Sequence, residues 1–395
     1  MITTYDYNIN DLGKRKGCIP QSEPVYTAIK VPVCEPDLRG NESKYVAEAM
    51  ESSWISSRGK YLDKFEEEFS VKVGAKYGVA VNSGTSALML VMAALGIKAG
   101  DEVIVPTFTM VSTVNAFVYL GAKPIFVDCD KYYQINVADI ESKITDKTKA
   151  ILPVHIYGHP VNIDEIETIA FKHNLPIVYD AAEAHGALYK NDYIGGRGVA
   201  TCYSFYGNKI LTTGEGGMVV SNDKEFIDLC RNLKDVAFST ERHFWHKRLG
   251  YNFRMTNLQA AIGVAQTERF NELVYIHQMN RDSYFNELEN VPGVLFQPQA
   301  EWAKSSCWMV GIEIDEEKFG MNRDHLRVKL ADKGIETRTY FVPMHLQPLY
   351  LSKLIYPKSE QLSRDGLYLP SSSILTREQL KYVTNSIKEI YETSI

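Results

Sequence analysis

The chain has 395 residues, 45% of them hydrophobic and 23% charged, and a formal net charge of −6. Such a length exceeds what one core fills, so two packed units are expected, and the acidic balance argues against a nucleic-acid surface. No apolar run reaches the ~20 residues of a membrane helix, and the opening MITTYDYNINDLGKRKG lacks the basic-then-apolar order of a signal peptide. Residues 1–30, with Gly13, Gly17, Pro20 and Pro24 and no sustained period, read as an arm. Amphipathic helices are predicted over 42–52 and 60–73. A β run at 77–81 leads into an apolar helix over 83–96 (SGTSALMLVMAALG). Strand 102–106, helix 112–121 and strand 124–128 follow, then strand 150–154, helix 164–173 and strand 176–180, which closes on Asp180.

Continuous apolar strands separated by helices predict an α/β fold, its parallel or mostly parallel sheet covered on both faces and its ligands gathered beyond the carboxyl ends of the strands. Two more strand-like runs, 200–203 and 214–220, flank a glycine-rich bend that carries Lys209. Beyond about Arg254 the texture changes. One long helix over 258–287, strands at 294–296 and 308–314, and helices at 323–333 and 377–392 outline a smaller α+β unit. The expected division is an arm (1–30), a large cofactor-binding unit (31–255) and a small C-terminal unit (256–395). Six scattered cysteines form no C-x-x-C pair and have no histidine at ligand spacing, so reduced thiols in a cytoplasmic protein are expected, without a metal site.

Three segments place reactive residues at strand ends or helix starts. Asn82-Ser83-Gly84-Thr85-Ser86 joins a strand to an apolar helix, and free N–H groups at a helix N-terminus beside small hydroxyls make a phosphate seat. A plain N-cap role for Ser83 or Thr85 is the alternative. Neither a Gly-Lys-Ser/Thr P-loop nor a G-x-G-x-x-G turn is present, which speaks against nucleotide hydrolysis and nicotinamide chemistry. Asp180 ends Leu175-Pro176-Ile177-Val178-Tyr179-Asp180, and a carboxylate at the end of a buried strand needs a partner. A protonated pyridine nitrogen would serve; helix capping is the alternative. Glu183 and His185 follow closely, either lining the same site or simply opening a helix. Lys209 lies where an ammonium is partly desolvated, and such a lysine loses its proton readily and attacks a carbonyl. Ser204, five positions earlier, can turn toward the same phosphate, and Thr212-Thr213-Gly214-Glu215-Gly216-Gly217 lets the backbone pass close to a ligand. Phosphate seat, pyridine partner and imine-forming lysine together point to pyridoxal 5'-phosphate.

The runs NSGTSALMLVMAALG, GDEVIVPTFTMVSTVNAFVYLGAKPIFVDCD, PVHIYGHP, DAAEAHGA, SFYGNKILTTGEGGMV and GYNFRMTNLQAAIG closely resemble the DegT/DnrJ/EryC1/StrS family of pyridoxal-phosphate sugar aminotransferases, from about Val31 to the C-terminus. The resemblance implies a fold-type-I aminotransferase: a large domain with a mostly parallel mixed sheet, a smaller α+β C-terminal domain, and a homodimer with shared active sites. By matching motif it implies that Lys209 bonds the cofactor aldehyde and shuttles the proton, and that Asp180 pairs with the pyridine nitrogen. It places Glu183 near the ring hydroxyl, Gly84, Thr85 and Ser204 on the phosphate, and Asn252 on the phosphate of the partner subunit. Met110 stands where the family usually sets an aromatic residue over the ring, with Phe108 the alternative stacking residue. The dehydratase branch has histidine where Lys209 stands, so transamination is implied.

Residues 334–345 (GIETRTYFVPMH) look like the G-I-E-T-R-P-F-F-x-P-L-H stretch of the perosamine-forming branch. That likeness implies that Arg338 and His345 approach a nucleotide-sugar, although Arg338 also suits a domain-interface ion pair. The expected function is glutamate-dependent amination of a keto group on a nucleotide-linked deoxysugar, for cell-surface polysaccharide precursors. The alternatives are an aminotransferase for a small phosphorylated ketone and a non-catalytic regulator that keeps the cofactor.

Overall fold

The computed structural model describes residues 15, 17–20, 23–239, 241–242 and 244–394. Of the arm expected over 1–30, residues 1–14, 16, 21 and 22 lie outside the described residues. Seven strands build the central sheet: β1 (Tyr77–Val81), β2 (Glu102–Pro106), β3 (Lys123–Val127), β4 (Thr148–Ile151), β5 (Val178–Asp180), β6 (Ala200–Ser204) and β7 (Gly217–Ser221). Their order is β3-β2-β4-β5-β6-β7-β1, with β4 and β5 joined by the parallel bridges Ile151↔Ile177 and Val154↔Asp180. Parallel pairing runs from β3 to β6. β7 is antiparallel to both β6 and β1, because the 205–216 bend carries no helix to cross the sheet. A mixed, mostly parallel sheet results, as expected.

Helices α1 (Glu42–Glu51), α2 (Lys60–Lys72), α3 (Gly84–Ala94), α4 (Val111–Val118), α5 (Ile163–His173) and α6 (Lys224–Lys234) flank this sheet. Successive strand residues point to opposite faces, and here both faces are buried. Val79, Val81, Val103, Val105, Val178 and Val219 pack into one core with Leu88 and Val91 of α3 and Ile227 of α6. Ala80, Ile104, Ile151, Tyr179, Tyr203 and Met218 pack into the other, against Phe65 and Phe69 of α2 and Ile166 of α5.

The single helix expected over 258–287 is two helices, α7 (Asn257–Glu268) and α8 (Phe270–Leu288). Arg269 between them leaves helical geometry at φ −97°, ψ 9°, and its guanidinium is drawn onto Asp37 by bonds of 2.9 and 3.0 Å. α7, which the expected division assigns to the C-terminal unit, packs on α1 and α2. Gly263 permits that contact, since a Cβ there would lie 2.7 Å from the Phe65 ring. A second, antiparallel sheet follows in the order β8-β9-β11-β10, from β8 (Val294–Phe296), β9 (Val310–Ile314), β10 (Arg338–Thr339) and β11 (Gly366–Leu369). It shares a core with α8, α9 (Arg323–Asp332) and α11 (Arg377–Glu392), while α10 (Pro357–Asp365) leads directly into β11. Val31 enters this core and bridges Ile335, so the chain touches the small unit before it builds the large one. Among the described residues no helix is long and apolar enough to cross a membrane, and all six cysteines are unpaired.

Candidate active site

At one edge of the large sheet, Gly217 of β7 pairs with Val81 of β1 on one side and Ser204 of β6 on the other. α3 starts immediately beyond β1. Its N-cap is Ser83, whose Oγ accepts the Ser86 N–H at 3.1 Å. The N-cap alternative therefore holds for Ser83, while Gly84 and Thr85 occupy the first helical positions, whose N–H groups have no intrahelical acceptor. Two glycines allow the close approach: a Cβ on Gly84 would sit 2.7 Å from the Ser204 Cβ, and one on Gly217 would sit 2.3 Å from the Ser83 carbonyl oxygen.

Gly84, Thr85, Met110, Asp180, Glu183, Ser204 and Lys209 all line one cavity of about 430 Å³. Asp180 ends β5 buried. Its Oδ2 accepts the Thr113 hydroxyl at 2.8 Å and its Oδ1 the Ala182 N–H at 3.0 Å. Both donors are neutral, and burial raises this carboxyl above its ordinary value despite them and the nearby Lys209. Burial likewise pushes Glu183 up to about 7, against the pull of Lys209 and of the Tyr157 N–H, which its Oε2 accepts at 2.8 Å. Glu183 Oε1 is 3.8 Å from Lys209 Nζ. Burial lowers the Lys209 amine, with Glu183, Asp180 and Cys34 opposing it.

Of the other sequence-predicted residues, Phe108, His185, Asn252, Arg338 and His345 lie off the cavity. Phe108 is fully buried against Tyr157, Tyr340 and Phe341 and does not line the cavity, so it does not take the stacking place. Met110 does reach the cavity, 47% exposed at the start of α4. His185 is buried among Phe69, Tyr203 and Phe205, off the cavity, and burial lowers it to about 3, so the ring is neutral. Asn252 is exposed and bridged to Asp235, outside the cavity of its own chain. Arg338, 48% exposed on β10, pairs with Glu336 at 2.6 Å. His345 is fully buried, with Nδ1 on Thr107 Oγ1 at 2.7 Å and Nε2 on Glu360 Oε1 at 3.0 Å. Both its nitrogens are engaged within the chain, which leaves neither for the nucleotide-sugar contact expected of it.

Sequence reasoning gave no role to the cavity's aromatic walls, Tyr206, Trp308, Phe341 and Tyr368. Trp308, Phe341 and Tyr368 come from the C-terminal third of the chain, and no spacing relates them to Lys209. Cavity and residues suit pyridoxal phosphate. A helix end has uncommitted N–H groups for a phosphate, a buried carboxylate lacks a hydrogen-bonded cation, and a desolvated lysine lines the same cavity.

The sequence pattern of the DegT/DnrJ/EryC1/StrS aminotransferase family matches residues 36–388. The chain belongs to the DegT/DnrJ/EryC1/StrS aminotransferase family. As a member it is a pyridoxal-phosphate-dependent transaminase. GDP-perosamine synthase of Escherichia coli O157:H7 is 44% identical to it over 363 residues, 91% of this chain and 98% of that one. The Vibrio cholerae GDP-perosamine synthase is 41% identical over 365 residues, covering 91% and 99%. Among solved structures, S. venezuelae DesV in complex with a ketimine intermediate matches with a TM-score of 0.86 and 32% identity, over 93% of this family member and 99% of DesV.

Proposed function

We propose that this family member moves the amino group of L-glutamate onto the keto group of a nucleotide-linked deoxysugar, with GDP-4-keto-6-deoxymannose the first substrate to test. The observation that carries this reading is the single cavity shared by Lys209, Asp180 and the start of α3, in a chain 44% identical to a GDP-perosamine synthase over nearly the full length of both. Pyridoxal phosphate, when bound, supplies an aldehyde that bonds amines and a ring that draws electrons from the amine-bearing carbon. Gly84, Thr85 and Ser204 would hold its phosphate, and Asp180 would keep the ring nitrogen protonated. Glu183 would sit by the ring hydroxyl and Met110 against the ring face. Lys209 Nζ would bond the aldehyde and, once released, carry a proton between the substrate carbon and the cofactor. Arg338 would meet the nucleotide-sugar.

The reading includes a cytoplasmic homodimer in which Asn252 reaches the partner's phosphate. Exposed apolar side chains near Asn252 in sequence (Trp245 at 55%, Leu249 at 84%) and Trp54 at 58% support such an interface. A non-catalytic regulator is not favoured, because lysine, aspartate and phosphate seat are all present. The test supplies the loaded enzyme with glutamate and either the keto-sugar nucleotide or a small keto-phosphate. Amine should form on the nucleotide-linked sugar. Comparable turnover of the keto-phosphate would overturn the assignment of substrate class.

A further inference from the structure

Trp308 touches the reacting lysine in two ways that its place in the fold makes deliberate. Lys209 Nζ lies 3.7 Å from the centroid of the indole ring, and the indole Nε1–H donates to the carbonyl oxygen of Asn208, the residue before Lys209, at 2.6 Å. The ring is buried, and its own backbone carbonyl accepts from the buried His277 Nδ1 at 3.1 Å. It sits just ahead of β9, in the segment that leads into the second sheet, while Lys209 sits in the bend between β6 and β7. One side chain therefore covers the amine and pins the peptide that carries it.

We propose that Trp308 is a positioning residue for Lys209: its ring face holds the lysine ammonium whenever the lysine is not bonded to a carbonyl, and its N–H fixes the bend from which the lysine acts. The proposal rests on Lys209 being the reacting lysine. A transaminase frees its lysine during each half-reaction, and the free amine must stay beside the carbon whose proton it moves. A long, four-carbon side chain released into an open cavity has many rotamers to explore. An aromatic face at 3.7 Å attracts the ammonium by the ring quadrupole, more strongly where water is excluded, while giving no lone pair that would take its proton. Glu183 Oε1, on the other hand, is 3.8 Å away and is itself pushed toward neutrality by burial. The other titratable groups around the amine are Asp180 at the end of β5, His185 beyond it, Cys34, whose Sγ points to the Asn208 carbonyl at 3.5 Å, and Tyr368 of β11, with Tyr206 and Glu215 lining the same cavity. Burial keeps His185 uncharged and raises both the Cys34 thiol and the Tyr368 phenol, so the ring face and the carboxyl groups of Glu183 and Asp180 decide where the ammonium rests.

The test begins with cofactor-free protein, so it reads Lys209 whether or not Lys209 is the residue that bonds the cofactor. Acetylation of Lys209 is followed across pH by mass spectrometry in the native protein, Trp308→Phe and Trp308→Leu. Losing the indole should lower the midpoint by about half to one pH unit, Leu more than Phe, since the ring favours the charged form. In the loaded enzyme Trp308→Phe should reduce kcat by about tenfold with the glutamate KM changed less than about twofold, because a misplaced proton carrier affects the chemical step and not donor binding. An unchanged or raised midpoint, or native kcat in Trp308→Phe, overturns the proposal. Borohydride labelling on a different lysine would instead overturn the reading of Lys209 itself.

Discussion

Lys209 and Glu183 occupy one buried corner, where burial lowers the amine and lifts the carboxyl from its ordinary 4.5 to about 7. As pH rises between those two values, the unfolded chain releases the Glu183 proton before the folded one does. The raised carboxyl thus contributes its full share of stability below about pH 4.5 and has lost it above about pH 7. Glu183→Gln removes this dependence. Measured by denaturant titration of the cofactor-free protein, the variant should gain on the native chain from about pH 5 to about pH 8, by up to roughly 3 kcal/mol. A difference that stays flat over that range would contradict the burial argument. Lys209→Ala should lower kcat by about a thousandfold or more, and borohydride reduction of the native loaded enzyme should leave the pyridoxyl group on the Lys209 peptide. The sequence singled out Asp180 and Ser204 because each ends a strand, Gly84 because it begins a helix, and Lys209 because it stands in a glycine-rich bend between two apolar runs; the structure brings all four to one cavity. Trp308 and Tyr368 were not legible: an aromatic residue in or beside a strand reads as core, and only tertiary packing brings these two to the cavity that holds Lys209.

The start of α3 is an arrangement of three backbone segments, and it depends on what its glycines lack. Gly217→Ala would push a methyl group to 2.3 Å from the Ser83 carbonyl oxygen, moving the N-cap of α3 away from Ser204. Pyridoxal phosphate affinity, read by fluorescence titration, should weaken by about tenfold or more, since phosphate binding needs N–H groups and hydroxyl at set distances. Ser83→Ala removes only the cap, worth about 1 kcal/mol of stability, and should change affinity far less. Equal effects on affinity would mean that the cap, not the close approach, builds the seat. At this scale the large unit was readable, because strands buried on both faces are continuous apolar runs and their bounds at 77–81 and 102–106 stand as expected. α10 was not readable: its buried residues are Ser359, Glu360, Leu362 and Ser363, so no apolar period marks it. α6 carried a usable signal, Asp223 as N-cap and Ile227, Cys230 and Leu233 at helical spacing, that the reading passed over.

Across the whole molecule, a chain of polar contacts runs from the N-terminal arm to the end of β2. Arg15 pairs with Glu360 at 3.1 Å and donates to the carbonyls of Ser352 and Leu354 at 3.2 and 3.1 Å. Cys18 adds two bonds to α10, its Sγ to the Glu360 carbonyl at 3.3 Å and its carbonyl to Ser363 Oγ at 2.7 Å. Glu360 accepts from His345 Nε2, and Thr107 accepts the His345 backbone N–H at 3.2 Å while its hydroxyl donates to Nδ1. Every bond is satisfied by one tautomer, and burial lowers His345 to about 4, so the ring stays neutral. Three residues beyond Thr107 is Met110, at the cavity. The sequence offered no purpose for the arm, because its partners sit more than 300 residues away in the chain. Residues Arg15 and Cys18 of the arm strap α10 and the segment after the turn at 343–346, and His345 is the brace beneath them. If the strap and brace act as one unit, breaking either should loosen the other. Arg15→Ala and His345→Gln should each destabilise by about 1–3 kcal/mol in urea, and the double variant should lose about 1 kcal/mol less than their sum. Losses that add to within about 0.3 kcal/mol would separate the arm from the cavity wall and leave it a local contact.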